Sequence, residues 1–118
     1  MSTNSRIGIL NQDGSIESVY HHSDGYPEWL GVVLKKKFSS SIKVRDLMEL
    51  GDISCIHTRN TWGEEVLEKP AIRTFNQRGE KTQAMEHEDL AEYVMFDPSV
   101  IEFSYLWNTD LNEWKCYK

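Results

Sequence analysis

The stretch RIGILNQDGSIESVYH, residues 6–21, alternates between apolar and small or polar residues on both sides of a central turn. Ile7 and Ile9 are separated by a glycine, and the same period of two continues from Ile16 to the end of the stretch. This period is typical of β-strands, in which successive side chains point to opposite faces. The Asp13–Gly14 pair between the two halves reaches positive φ at low cost, as short hairpin loops require. The stretch therefore predicts an N-terminal β-hairpin.

The other end of the chain repeats this pattern. VIEFSYLW (residues 100–107) alternates from Ile101 to Trp107, and EWKCYK (residues 113–118) alternates again after the polar NTDLN. Two alternating runs joined by a short polar loop predict a C-terminal hairpin.

Two helices are predicted directly after the first hairpin. Pro27 suits the first position of a helix, where its missing N–H costs nothing, and apolar residues recur at helical spacing over 30–38. The serines at 39–41 break this helix and offer an N-cap for IKVRDLMEL (residues 42–50), which Gly51 ends.

The middle of the chain has weaker signals. DISCIH (residues 52–57) and AIRTFN (residues 71–76) are interpreted as strands, and TWGEEVLEKP (residues 61–70) as a helical turn. QRGEKTQ (residues 77–83) is predicted to be a polar loop, and MEHEDLAEYVM (residues 85–95) a helix.

Two hairpins separated by helices do not match the βαβ alternation of a parallel sheet. We therefore expect a two-layer α+β fold: an antiparallel sheet built from the N- and C-terminal hairpins, with helices packed on one face. A length of 118 residues suits a single domain, 1–118.

The formal net charge of −6 argues against a protein that coats DNA or RNA, which presents basic residues to phosphates. It fits either a partner with a basic surface or simple solubility. The chain has no long apolar run and no signal-peptide pattern, so we expect no membrane segment and a cytoplasmic location.

The turn YHHSDGYPEW, residues 20–29, contains the candidate binding residues. His22 and Asp24 have the chemistry of a general base or of metal ligands, and the alternative is that Asp24 caps the next helix while His22 hydrogen-bonds in the turn. Tyr20, Tyr26 and Trp29 are suitable interface anchors, and they equally suit the seam between a hairpin and its helix.

Other chemistry is sparse. A metal would need further ligands from His21, His57 or His87, and no clustered spacing supports this, so we expect neither metal nor cofactor. Nucleophile and phosphate-binding motifs are absent, which favours a non-enzymatic protein. The carboxylates of GEEVLE and MEHEDLAE are interpreted as a solvated face or as an acidic patch for a basic partner.

The segment SRIGILNQDGSIESVYHHSDGYPEWLG (residues 5–31) resembles the start of a family of small phage-encoded proteins without a settled activity. VRDLMELGDIS (residues 44–54) is similar to their next block, and EFSYLW with EWKCY to their closing hairpin, whereas residues 58–99 have no counterpart. Ser23 departs from the pattern, because the family often has an aromatic residue there. The resemblance implies a phage accessory gene.

We therefore expect a phage accessory protein that binds a host macromolecule, in particular a host protein, in takeover or counter-defence. It would act in the cytoplasm of the infected cell, and the sequence does not indicate an oligomeric state. The alternative is a small-molecule or nucleotide-binding domain with a pocket around the Tyr20–Trp29 turn.

Overall fold

The computed structural model describes residues 3–22, 24–57 and 71–118. The strands in these ranges are β1 Ser5–Leu10, β2 Ile16–His21, β3 Ile53–His57, β4 Ala71–Thr74, β5 Met85–His87, β6 Phe103–Asn108 and β7 Glu113–Tyr117. A π-helical turn, Pro27–Gly31, leads into α1 Val32–Lys37; α2 is Ser41–Glu49, Asn76–Arg78 form a 3₁₀ turn, and α3 is Leu90–Val94. In these ranges no helix combines the length and apolar character needed to cross a bilayer.

The strands form one open sheet in the order β4-β3-β2-β1-β6-β7, with β5 pairing beside β2. Both predicted hairpins are confirmed: β1 pairs with β2 and β6 with β7, each antiparallel. The sheet is mixed rather than wholly antiparallel, because β1–β6 and β2–β3 are parallel. The parallel join places Tyr105 beside Ile7 and Trp107 beside Ile9, which continues one apolar surface across the two hairpins. The α+β class is confirmed.

The main core lies between the sheet and the first two helices. Ile7, Ile9 and Val19 of the sheet pack there against Leu34 of α1 and Leu47 of α2, all buried. We call this side of the sheet the core face.

The ends of these helices match their predicted signals. Pro27 occupies the first helical turn, and the Ser40 side chain accepts a hydrogen bond from the Lys43 N–H at 3.3 Å as the N-cap of α2. Gly51 ends α2 with a φ of +77°, a conformation that favours glycine.

The prediction that all helices lie on one face is wrong for α3, which covers the opposite face. Gly8 favours this arrangement: a Cβ there would lie 3.0 Å from the Tyr93 ring, a tight contact that glycine avoids where α3 approaches β1. The Tyr93 hydroxyl donates to the Tyr105 carbonyl, and Tyr93 packs with Ile16 and Leu106 in a second, smaller apolar cluster.

The prediction of one helix over 85–95 is also wrong. Residues 85–87 form β5, in which His87 pairs with Ile16, and the helix begins only after Asp89, whose side chain accepts from the Glu92 N–H at 2.9 Å. A non-local strand pairing overrides local helix propensity here. The predicted polar loop 77–83 begins in the 3₁₀ turn, and the helical turn predicted at 61–70 lies outside the described residues.

Candidate functional site

Tyr20, near the end of β2, and His22, just after that strand, form an aromatic cluster. The Tyr20 hydroxyl lies 2.8 Å from His22 Nδ1, and both rings contact Phe75 with centroids 6.3 and 6.4 Å away. The Arg78 guanidinium lies over the same Phe75 ring at 5.5 Å. Both Tyr20 and His22 are half-buried, so the interpretation that His22 hydrogen-bonds within the turn agrees with the structure.

The other three candidates do not join this cluster. Asp24 is exposed at a φ of +54°, and the N-cap position belongs to Tyr26, which makes no side-chain capping bond. The interpretation of Asp24 as a helix cap is therefore wrong. Tyr26 is 38% exposed, whereas Trp29 packs against the main core. The five predicted binding residues are thus divided between the aromatic cluster at the end of β2, the surface and the margin of the core.

The centre of the turn is held by tight packing. Gly25 is buried; its N–H donates to the Thr3 carbonyl at 2.9 Å, and its carbonyl accepts from the Tyr105 hydroxyl at 2.7 Å. A Cβ on Gly25 would lie 2.5 Å from Ser5 Oγ. The turn therefore packs tightly against the first residues of β1, and the fold requires much of the turn's sequence.

His21 is the buried histidine of the turn, whereas His22 was the one predicted to be functional. It is 1% exposed, follows Val19 by two residues onto the core face, and lies opposite Ser5. In the described part of the chain neither of its ring nitrogens has a hydrogen-bond partner. Burial, assisted by the neighbouring His22, lowers the pKa of His21 to about 4.

A buried polar network connects the sheet to β5 and α3 on the opposite face. Arg6 Nε donates to Ser18 Oγ at 2.8 Å, and Ser18 Oγ lies 2.7 Å from His87 Nε2. His87 Nδ1 lies 4.0 Å from a Glu92 carboxylate oxygen, and the Phe96 ring lies 5.1 Å from the Arg6 guanidinium. Burial lowers the pKa of His87, and the Arg6 charge acts in the same direction.

This serine–histidine–carboxylate order resembles a nucleophile and its base, but its surroundings assign it a structural role. Ser18 is fully buried and held by Arg6, and the rings of Tyr93 and Phe96 pack on His87. The network therefore fastens β5 and α3 to the sheet. Because side chains alternate along a strand, the sequence predicts that Arg6 and Gly8 lie on the same face of β1. It did not predict that His87 joins Arg6 there, because residues 85–95 were interpreted as one helix.

The possible metal ligands do not come together either. His21 and His87 lie on opposite faces of the sheet. Within the three described ranges no three His, Cys, Asp or Glu side chains could share a metal ion. The side chain of His57 and the carboxylates of residues 64–68 lie outside the description.

The surface of residues 85–102, which we call the acidic strip, is both charged and apolar. Its six carboxylates are all exposed and it contains no Lys or Arg. It also contributes four of the nine exposed large hydrophobic residues of the described chain, namely Met85, Leu90, Met95 and Val100, of which Met95 is 68% exposed. Contiguous exposed apolar patches rimmed by polar residues mark protein-binding surfaces.

Comparison of the chain with protein-family models, with curated proteins and with solved structures gives no match. The resemblance to small phage proteins therefore stays a prediction.

Proposed function

We propose that this chain is a phage accessory protein that binds a host protein with a basic surface, in takeover of the host or in counter-defence. The phage origin is supported by the resemblance of residues 5–31 to small phage proteins. The binding role is supported by the acidic strip.

The observation that carries the proposal is the segregation of charge. Eight of the 19 carboxylates and none of the 13 Lys and Arg lie in residues 82–114, so this segment carries −8 and the rest of the chain +2. Solubility requires net charge, but it does not require that one segment hold all of it. A segregated acidic surface accelerates encounter with a basic partner, and exposed apolar residues within it slow dissociation.

The geometry favours this role over a pocket at the turn. Tyr20 and His22 are engaged with each other and with Phe75, and Trp29 packs against the main core. Of the turn residues, Tyr26 and Asp24 are exposed and free to contribute to a contact surface.

The test is capture of a host protein by tagged protein from host-cell lysate at several salt concentrations. A strip variant, Glu86→Gln with Glu88→Gln and Glu102→Gln, removes three exposed charges from the acidic strip. A control variant, Asp46→Asn with Glu49→Gln and Glu80→Gln, removes three exposed charges elsewhere. We expect one dominant partner that the strip variant loses, that the control retains, and that high salt releases.

Two outcomes would contradict the proposal. One is the absence of any stoichiometric partner from infected and uninfected lysates. The other is a partner that both variants capture equally. Loss of the partner by Tyr26→Ala, with the strip variant unaffected, would move the contact surface to the turn.

A further inference from the structure

A cavity of about 120 Å³ lies between the first helix and the last strand, and no residue of the acidic strip is among those that line it. Its walls come from the start of the helical segment, from α1 and from β6 and β7: Pro27, Gly31, Val32, Lys35, Tyr105, Trp114, Lys115 and Cys116. Pro27 is the residue of the Tyr20–Trp29 turn that lines the cavity, and none of the five predicted binding residues does.

Gly31 is the residue whose presence the fold does not explain. It lies inside the helical segment with φ −58° and ψ −41°, a conformation that every residue adopts in a helix. A Cβ there would lie 3.6 Å from Tyr105 Cε1 and 3.7 Å from Pro27 Cβ, which are ordinary contacts. Glycine in a helix destabilises it relative to alanine, so this position sacrifices stability without a backbone or packing requirement. What glycine does preserve is the open volume of the cavity.

The walls are suited to a planar ring. Trp114 is fixed by donation from its indole Nε1 to the Phe38 carbonyl at 2.9 Å and by an edge contact with Trp107. Tyr105 is fixed by its hydroxyl bond to the Gly25 carbonyl. Two immobilised aromatic walls form a preorganised site. Its volume of about 120 Å³ is somewhat below that of an apolar cavity of roughly 150 Å³ that binds benzene, so it suits at most a single ring.

Among the described residues, the charged ones that line the cavity are two lysines; the Glu28 carboxylate is not part of the lining but acts electrostatically on Tyr105. Lys35 and Lys115 both line the cavity and both are exposed, so an anionic group at the opening would meet two ammonium groups without burying either of them. Lys35 and Trp114 also line a neighbouring cavity of about 350 Å³, whose wall includes the Glu113 carboxylate, so a larger ligand has room to extend if its added part is not anionic.

We infer that this cavity binds a small planar organic anion, with its ring against Tyr105 and Trp114 and its carboxylate or phosphate at Lys35 and Lys115. This inference is independent of the proposed host partner. It assigns a ligand class to a surface that the acidic strip does not include.

The first test uses ring compounds of nearly equal size and different charge. Benzoate, benzamide, benzamidine and phenyl phosphate are titrated into ¹⁵N-labelled protein, and the indole N–H of Trp114 and the amide of Gly31 are followed by NMR. We expect both anions to shift these signals at low-millimolar concentrations, with benzamide weaker and benzamidine weakest. The tighter of the two anions then identifies the natural headgroup as a carboxylate or a phosphate.

The second test fills the cavity without disturbing the fold. Gly31→Ala should weaken the preferred anion roughly tenfold or more, as one added carbon does in a fitted pocket. The same variant should raise the midpoint of thermal unfolding by roughly 2–5 °C, because alanine suits the helical backbone. Weaker binding by a more stable protein cannot be attributed to misfolding.

Lysine variants test the charge. Lys35→Met and Lys115→Met should each weaken the anion about threefold, as expected for exposed ionic contacts. Lys36→Met removes an exposed lysine of the same helix that does not line the cavity, and it should bind as the parent does. Equal binding of benzamidine and benzoate, or unchanged binding by Gly31→Ala, would overturn the inference.

Discussion

Protonation of the buried His21 ring opposes folding. Its pKa is about 4 in the folded protein, because burial disfavours the charged ring, whereas an unfolded histidine titrates near 6.5. Above pH 6.5 the ring is neutral in both states and no stability is lost. As pH falls from 6.5 to 4 the unfolded state binds the proton first, so the free energy of unfolding decreases, by about 3 kcal/mol in total.

We therefore predict that His21→Leu flattens this part of the pH profile. It should also stabilise the protein at pH 7, by about 1 kcal/mol, because two buried ring nitrogens without partners are replaced by carbon. Urea unfolding of both proteins at pH 7, 5.5 and 4 measures the difference. His87 titrates in the same direction in both proteins, so the comparison isolates His21. Parallel profiles for the two proteins would disprove the assignment.

Two glycines of the same region should respond in opposite directions to the same substitution. Gly25→Ala places a carbon 2.5 Å from Ser5 Oγ and 2.9 Å from the Thr3 carbonyl, and we predict a loss of about 1–3 kcal/mol. Gly31→Ala meets no such contact and should gain about 0.5–1 kcal/mol. Thermal and denaturant unfolding of the pair measures both effects, and equal destabilisation would mean that backbone conformation, not space, governs these positions.

At the scale of elements, the buried polar network determines whether α3 stays on the sheet. Ser18→Ala leaves both Arg6 Nε and His87 Nε2 without their hydroxyl partner, and we predict a loss of about 2–3 kcal/mol. Amide hydrogen exchange should then accelerate in α3 and β5 before it does in α2. Ser39→Ala, at an exposed position between α1 and α2, is the control and should change neither quantity. Uniform acceleration over all helices would show that the network does not hold α3 specifically.

Elements whose signals are local were predictable, and those that depend on distant partners were not. Pro27, Ser40 and Gly51 mark helix ends through their own backbone chemistry, and alternation with Asp13–Gly14 specified the first hairpin. The strand at 85–87 depends on pairing with β2, about 70 residues earlier in the chain, so local propensity predicted a helix instead.

The candidate sites follow the same division. Tyr20 and His22 are close in the chain, so their contact could be predicted from the sequence. Ser18 and His87 are 69 positions apart, so their contact could not. The cavity at Gly31 likewise exists only because β7 lies beside α1. Neither the pairing of β5 with β2 nor the position of β7 beside α1 can be predicted from the local pattern of a single sequence.

At the scale of the whole molecule, the segregation of charge should control the rate of association more than the lifetime of a complex. A basic probe peptide approaches the −8 segment along its electrostatic field, and salt screens that field over about 10 Å at 0.1 M. The strip variant defined above should therefore lower the association rate constant severalfold at low salt and reduce its salt dependence, with little change in the dissociation rate constant.

The double variant Leu90→Ser with Met95→Ser should have the opposite effect on the association and dissociation rate constants. This variant keeps every charge and removes exposed apolar area, so the association rate constant should persist while dissociation becomes faster. Stopped-flow fluorescence at 20, 100 and 300 mM salt separates the two rate constants, and the Asp46, Glu49 and Glu80 variant is the matched control for net charge. The control and the strip variant differ only in where three carboxylates were removed. If the control lowers the association rate constant as much as the strip variant does, then the net charge of the protein attracts the partner, and the position of the charges does not matter.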